Sequence, residues 1–197
     1  MSELALACHD DPNLDPDDWF EIIEGVKTMP PSADFYHNTI GLNLACEFRG
    51  YALAHKIAIV YDVDVYLPDG NVFRPDFCAV CDPANIGKDL KVHGVPDLCV
   101  EVLSPSTAKN DLGKKMELYA RNGVREYWII DKQSKSIYTY LLDEGQYKLK
   151  DTYHSYDKNE FEALTDYERA AVKDKIQVGI FPELSVDVKS IFAWWFD

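Results

Sequence analysis

With 197 residues and a net charge of −14, the chain has room for one domain with a sizeable core, and its acidity argues against a general nucleic-acid coat protein, which needs a basic surface. No apolar run approaches the ~20 residues of a membrane span, and the start "MSELALACHDDPNLDPDDWF" has neither the basic nor the apolar part of a signal peptide. Five scattered cysteines (8, 46, 78, 81 and 99) fit small apolar fillers in a reducing cytoplasm better than a disulfide framework.

Residues 1–18 read as an acidic flexible tail, interrupted by Pro12 and Pro16, ahead of a single domain over 19–197. Residues 1–24 carry eight acids and no Lys or Arg, which leaves −6 of the net −14 on the remainder. "FEIIEGVKTM" reads as two short strands turning at Glu-Gly. "PPSADFYHNTIGLNLACEFRGY" reads as a helix opened by Pro and Ser, with Phe35, Thr39, Leu42 and Cys46 at helical spacing. "AIVYDVDVYLPDGNVFRPDFCAVCD" alternates as strands do, and "PDGN" makes a hairpin turn. "PANIGKDLKVHG" reads as a loop, and a buried strand follows over 97–103.

"SPSTAKNDLGKKMELYARNGV" is the clearest helix, capped by Ser104, Ser106 or Thr107 and stopped at Gly123. Over 104–125, Lys109, Lys114, Lys115, Arg121 and Arg125 outweigh Asp111 and Glu117, so an acidic protein carries one basic helix. "REYWIID", "KSIYTYLL" and "QYKLKDTY" form a strand meander with turns at "KQSK" and "DEGQ". Residues 154–175 are polar with a short helix at "TDYERAAV", and "IQVGIFPELSVDVKSIF" closes the domain as a strand and terminal turn. This order predicts an α/β (α+β) domain with a mixed central sheet flanked by helices.

The strand over 97–103 contains the informative residue. Leu98, Val100 and Val102 share one face, and Cys99, Glu101 and Leu103 the other, so Glu101 lies in a strand that reads as buried on both sides. An unpaired carboxylate there costs several kcal/mol at least. Asp76, which follows Pro75 at the start of "DFCAV", converges with Glu101 if the two strands are neighbours. Two carboxylates so placed repel unless a proton or a cation intervenes, and Mg²⁺ suits two carboxylates, a backbone carbonyl and retained waters. On the following helix Ala108, Leu112, Lys115 and Tyr119 are spaced 4, 3 and 4, which puts Lys115 beside the buried stripe and turns Lys114 away. Two acids, a metal and an ammonium suit phosphodiester hydrolysis. From spacing alone, Glu101 with Lys115 as a structural ion pair and Asp76 as a turn residue stay open alternatives.

"RPDFCAV", followed by "GVPDLCVEVLSPSTAKNDLGKKMELYARNGVREYWIID", resembles the Uma-type family of putative restriction endonucleases, within the PD-(D/E)xK nuclease superfamily. The likeness is dense over 74–131 and weaker through "FEIIEGV", His37 and "GIFPELSVDV". It implies a restriction-endonuclease-like core, with Asp76 and Glu101 as metal-binding acids and the Val102 carbonyl as a further ligand. It also implies Mg²⁺, with Mn²⁺ able to substitute, and DNA cleavage to a 5′-phosphate and a 3′-hydroxyl. The superfamily lysine normally follows the second acid by two positions, where this chain has Leu103. Uma-type members carry it on the next helix instead, which maps onto Lys115. Glu21 and His37 fall at family-like positions as accessory residues. Asp111, four before Lys115, is expected to orient that lysine. Tyr119 and Tyr127–Trp128 are expected in the core.

The expected protein is therefore a cytoplasmic, Mg²⁺-dependent DNA endonuclease using Asp76, Glu101, Val102 and Lys115, and a homodimer would bring the two sites that double-strand cutting requires. The competing readings are a catalytically silent nuclease-like module for binding or regulation, and an enzyme acting on RNA or a nucleotide. "CAVC" lies in a predicted strand where its thiols face opposite ways, against zinc, and His93 belongs to no pattern.

Overall fold

The alternation of apolar residues in "DFCAV", "LCVEV" and "EYWIID" produces three neighbouring strands at the centre of the computed structural model, which describes residues 20–29, 32–104, 108 and 111–194. In chain order the elements are β1 (Glu21–Ile23), β2 (Val26–Thr28), α1 (Phe35–His55), β3 (Ala58–Val60), β4 (Val65–Tyr66), β5 (Val72–Phe73), β6 (Phe77–Val80), β7 (Val92–His93) and β8 (Leu98–Val102). A π-helical turn at Asp111–Lys115 then runs into α2 (Met116–Asn122). The chain continues as β9 (Glu126–Asp131), β10 (Ser136–Asp143), β11 (Gln146–His154), α3 (Lys158–Ala163), α4 (Asp166–Ala171), β12 (Lys175–Gln177), β13 (Ser185–Asp187) and α5 (Val188–Ile191).

A six-stranded sheet in the order β11-β10-β9-β8-β6-β3 is antiparallel except for β8 and β9. That parallel pair needs a crossover, and the segment containing α2 provides it. A smaller sheet, β2-β1-β5-β4-β7, and the β12–β13 hairpin complete the domain. The period of two in β8 divides the core. Leu98, Val100 and Val102 join Ile40, Leu44 and Phe48 of α1 in one cluster; Cys99 joins Leu118 and Tyr119 of α2 with Phe73 and Val65 of the smaller sheet in the other. The six-stranded sheet thus lies between α1 on one side and α2 with the smaller sheet on the other, the mixed architecture expected.

Several sequence expectations hold locally. Glu24 and Gly25, both at positive φ, turn β1 into β2, and the Leu67–Asn71 hairpin closes through backbone bonds of 2.9 and 3.0 Å. Gly123 (φ 89°) ends α2 in the left-handed conformation that favours glycine. The β9–β10–β11 meander turns where expected.

Others are corrected. α1 is capped by Asp34, whose carboxylate accepts from the His37 N–H at 2.9 Å, and it extends to His55. Its buried face is His37, Ile40, Leu44, Phe48 and Ala52, whereas Phe35 is 66% exposed and Leu42 and Cys46 are exposed as well. The helix carries apolar side chains all round, so periodicity alone chose the wrong face. "PANIGKDLKVHG" includes a short 3₁₀ turn and β7, which pairs parallel to β4. Two capped helices, α3 and α4, occupy 154–175 where one was expected. Leu112 is 50% exposed and Asp111 is buried in its place. A π turn holds more residues per turn, which swings the residue three before Lys115 off its face and keeps the residue four before on it. The acidic tail, Cys8, the capping residues Ser106 and Thr107, Lys109 and the final three residues lie outside the described residues. No helix among the described residues is long and apolar enough to cross a membrane.

Candidate active site

β6 and β8 pair antiparallel with Phe77 opposite Val100, and one further step of that register sets Asp76 opposite Glu101. Both strands are buried, so their ends fix two carboxylates on a rigid support rather than on loops. Asp76 uses both oxygens: Oδ2 accepts from the Val102 N–H at 2.6 Å, and Oδ1 is hydrogen-bonded to His37 Nε2 at 2.7 Å. Its side chain keeps 23% exposure, so the Asp76 end of the pair is open to solvent and Glu101 is the closed end.

Glu101 is gripped from α2. Lys115 Nζ lies 3.3 Å from its Oε2 and the Tyr119 hydroxyl donates to its Oε1 at 2.9 Å. The same ammonium meets Glu21 of β1 at 2.8 Å and Asp111 at 3.6 Å, with the Phe73 ring 5.8 Å away. Glu21 Oε1 also accepts from the Arg74 N–H at 3.2 Å, which ties the first strand to the segment carrying Asp76. Burial opposes the Lys115 charge, but Glu101, Glu21 and Asp111 outweigh it and raise its pKa above the ordinary lysine value. Burial pushes the Glu101 carboxyl well up; Lys115 draws it down, while Asp111, Asp76 and Glu21 push it further up. Three carboxylates around one ammonium, with a fourth opposite, form a site with acid in excess of base.

The expected site residues Asp76, Glu101, Val102, Lys115, Glu21, His37 and Asp111 therefore come together: His37 approaches from the α1 side, Lys115 and Asp111 from the α2 side. Lys114 points away and pairs with Glu24 at 2.9 Å. The Tyr119 hydroxyl was missed by sequence reading, which placed that residue in the core alone. Its spacing of four from Lys115 is the signal that marks it. Tyr127 and Trp128 are fully buried, and His93 stacks on Tyr66 and bonds Asp89.

The basic segment does not make a free basic surface. Arg121 pairs with Asp69 at 2.9 Å and Arg125 with Asp97 at 2.6 Å, in addition to the pairs of Lys114 and Lys115. The thiols of "CAVC" go to opposite sides, Cys78 into the α2 cluster and Cys81 against the α1 cluster.

Among the described residues no three His, Cys, Asp or Glu side chains form a cage for a metal ion. The donors that do converge are carboxylates at a partly open strand end, and excess negative charge calls for a cation there. This chemistry fits Mg²⁺, which takes one or two carboxylates and keeps its waters, and does not fit zinc.

Comparison with known proteins places this geometry in a family. A crystal structure of a "putative nuclease belonging to DUF820" from Anabaena variabilis superposes with a TM-score of 0.67 at 16% identity, covering 92% of this chain and 93% of that one. At that identity the likeness is one of fold, a restriction-endonuclease-like core. The uncharacterized protein slr1290 of Synechocystis sp. is 35% identical over 96 residues, 48% of this chain and 50% of that protein, so the match spans about half of the relative. The model of the Uma2 family, described as "Putative restriction endonuclease", matches residues 6–172, and the chain belongs to that family.

Proposed function

We propose that this protein is a Mg²⁺-dependent DNA endonuclease. The observation that carries the reading is Asp76 set opposite Glu101 across β6 and β8, with Lys115 on Glu101. Asp76, Glu101 and the Val102 carbonyl hold the ion, and the family description and the nuclease fold of the structural relative support a phosphodiester substrate. When bound, Mg²⁺, or Mn²⁺ in its place, supplies Lewis-acid charge at the scissile phosphate. Lys115 stays protonated because of its raised pKa, so it acts by donating hydrogen bonds to the attacking water or a phosphate oxygen and not by removing a proton. Glu21 and Asp111 orient that ammonium, and His37 orients Asp76. Cutting both strands takes two such sites, which a homodimer supplies, and sedimentation equilibrium tests that state. The unpaired thiols of Cys46, Cys78, Cys81 and Cys99 suit a cytoplasmic protein.

The test is nicking of supercoiled plasmid with Mg²⁺ and with Mn²⁺. Wild type nicks only with metal; Glu101→Gln and Asp76→Asn are inactive with unchanged circular dichroism. Lys115→Met loses about 100- to 1,000-fold, the usual cost of one transition-state donor. Wild-type rates in Glu101→Gln would falsify the assignment.

The paired basic residues of the α2 segment favour a second reading, a nuclease-like fold serving as a binding or regulatory module. Metal titration separates the two. A working site gains about 2.7 kcal/mol of stability at a hundred times its Kd, and a silent module whose metal site is lost gains none.

A further inference from the structure

Tyr119 is fully buried, and its ring lies 5.0 Å from Phe73 and 5.4 Å from Tyr127, both also enclosed. Neighbours on two sides leave its hydroxyl one direction, toward Glu101 Oε1 at 2.9 Å. Lys115, four residues earlier on the same face, reaches the other oxygen at 3.3 Å. The last torsion of a glutamate is broad when one oxygen is held, and a second donor on the other oxygen fixes the carboxylate plane.

We propose that Tyr119 is a positioning residue, whose hydroxyl, together with Lys115, locks the plane of the Glu101 carboxylate in the orientation that receives the divalent ion. The consequence for metal binding rests on the nuclease reading above; the hold on Glu101 does not. Burial and the neighbouring Glu101 keep the phenol well above its ordinary pKa, so the hydroxyl remains a donor at working pH. Tyr127 is the built-in comparison. It is an equally buried tyrosine nearby, but its hydroxyl donates to the backbone carbonyl of Asp111 at 3.0 Å and not to Glu101.

The experiment follows the Glu101 side-chain carboxyl by ¹³C NMR in protein labelled at the glutamate δ-carbon, with the resonance assigned through Glu101→Gln. In EDTA, Tyr119→Phe is expected to move that resonance and Tyr127→Phe to leave it in place. Titration with Mg²⁺ on the same resonance is expected to give a Kd about 10- to 100-fold weaker in Tyr119→Phe, the range for losing a partner of a metal ligand. An unmoved resonance in EDTA overturns the proposal, as does a Tyr119→Phe protein that loses thermal stability yet binds Mg²⁺ with the wild-type Kd, because that is packing alone. If the wild-type resonance ignores Mg²⁺, the metal-nuclease reading falls instead, and the shift in EDTA alone decides whether Tyr119 positions Glu101.

Discussion

Glu126 and Glu101 are buried glutamates on the adjacent strands β9 and β8, and their partners distinguish them. Glu126 accepts from the Trp128 indole at 2.7 Å and from the N–H groups of Gly179 and Ile180 at 3.1 and 2.8 Å, so N–H donors disperse its charge. It anchors the 178–180 segment to the sheet. Glu126→Ala leaves those donors without their acceptor and is expected to cost about 3 kcal/mol, read as a lower urea midpoint. Glu101 instead faces a lysine, a phenol and other carboxylates, the arrangement of a site more than of an anchor. A smaller electrostatic prediction concerns Asp34. Lys132 and the His37 N–H lower its pKa below the usual carboxylate value, so its contribution is present above that value and is lost as pH falls through the lowered pKa. Asp34→Asn keeps the cap and removes the charge. Its stability deficit is expected to be under ~1 kcal/mol at neutral pH, because the carboxylate is largely exposed, and to vanish in acid scans of Tm.

Among the elements, α1 and α2 bring chemistry to the sheet from opposite sides. α1 is held chiefly through Phe48, which meets Phe77 at 4.9 Å and Trp128 at 5.9 Å between ring centroids. Phe48→Ala is expected to cost about 3–5 kcal/mol in denaturant unfolding and, by loosening α1, to weaken the His37 contact with Asp76. α2 shows why a helical wheel found Lys115 but misplaced its neighbours. Lys115 and Tyr119 lie on the regular side of the π turn, where α spacing holds, while Leu112 lies within it, where the spacing changes. Asp111 was legible only as a partner four residues from Lys115, not as a buried residue.

For the whole molecule the governing quantity is charge. A net −14, with the described bases of the α2 segment each paired to acids, leaves little sequence-independent attraction for a polyanion. Fluorescence anisotropy with a labelled duplex is expected to show weak binding in EDTA and stronger binding with Ca²⁺, with a shallow dependence on salt. Strong, steeply salt-dependent binding in EDTA would point to a basic surface elsewhere in the assembly.

Local chemistry made much of this protein readable from its amino acids. A charge inside an apolar strand singled out Glu101, period two assigned the faces of β8, and turn residues placed the hairpins and the stop of α2. These depend on neighbours within a few residues, and a linear chain displays them. The exposed side of α1, the burial of Asp111 and the meeting of the Tyr119 hydroxyl and Glu21 with the Glu101–Lys115 pair were decided only by the tertiary structure. Each depends on which sheet face or side chain a distant segment packs against, and no local pattern of one helix or strand carries that information.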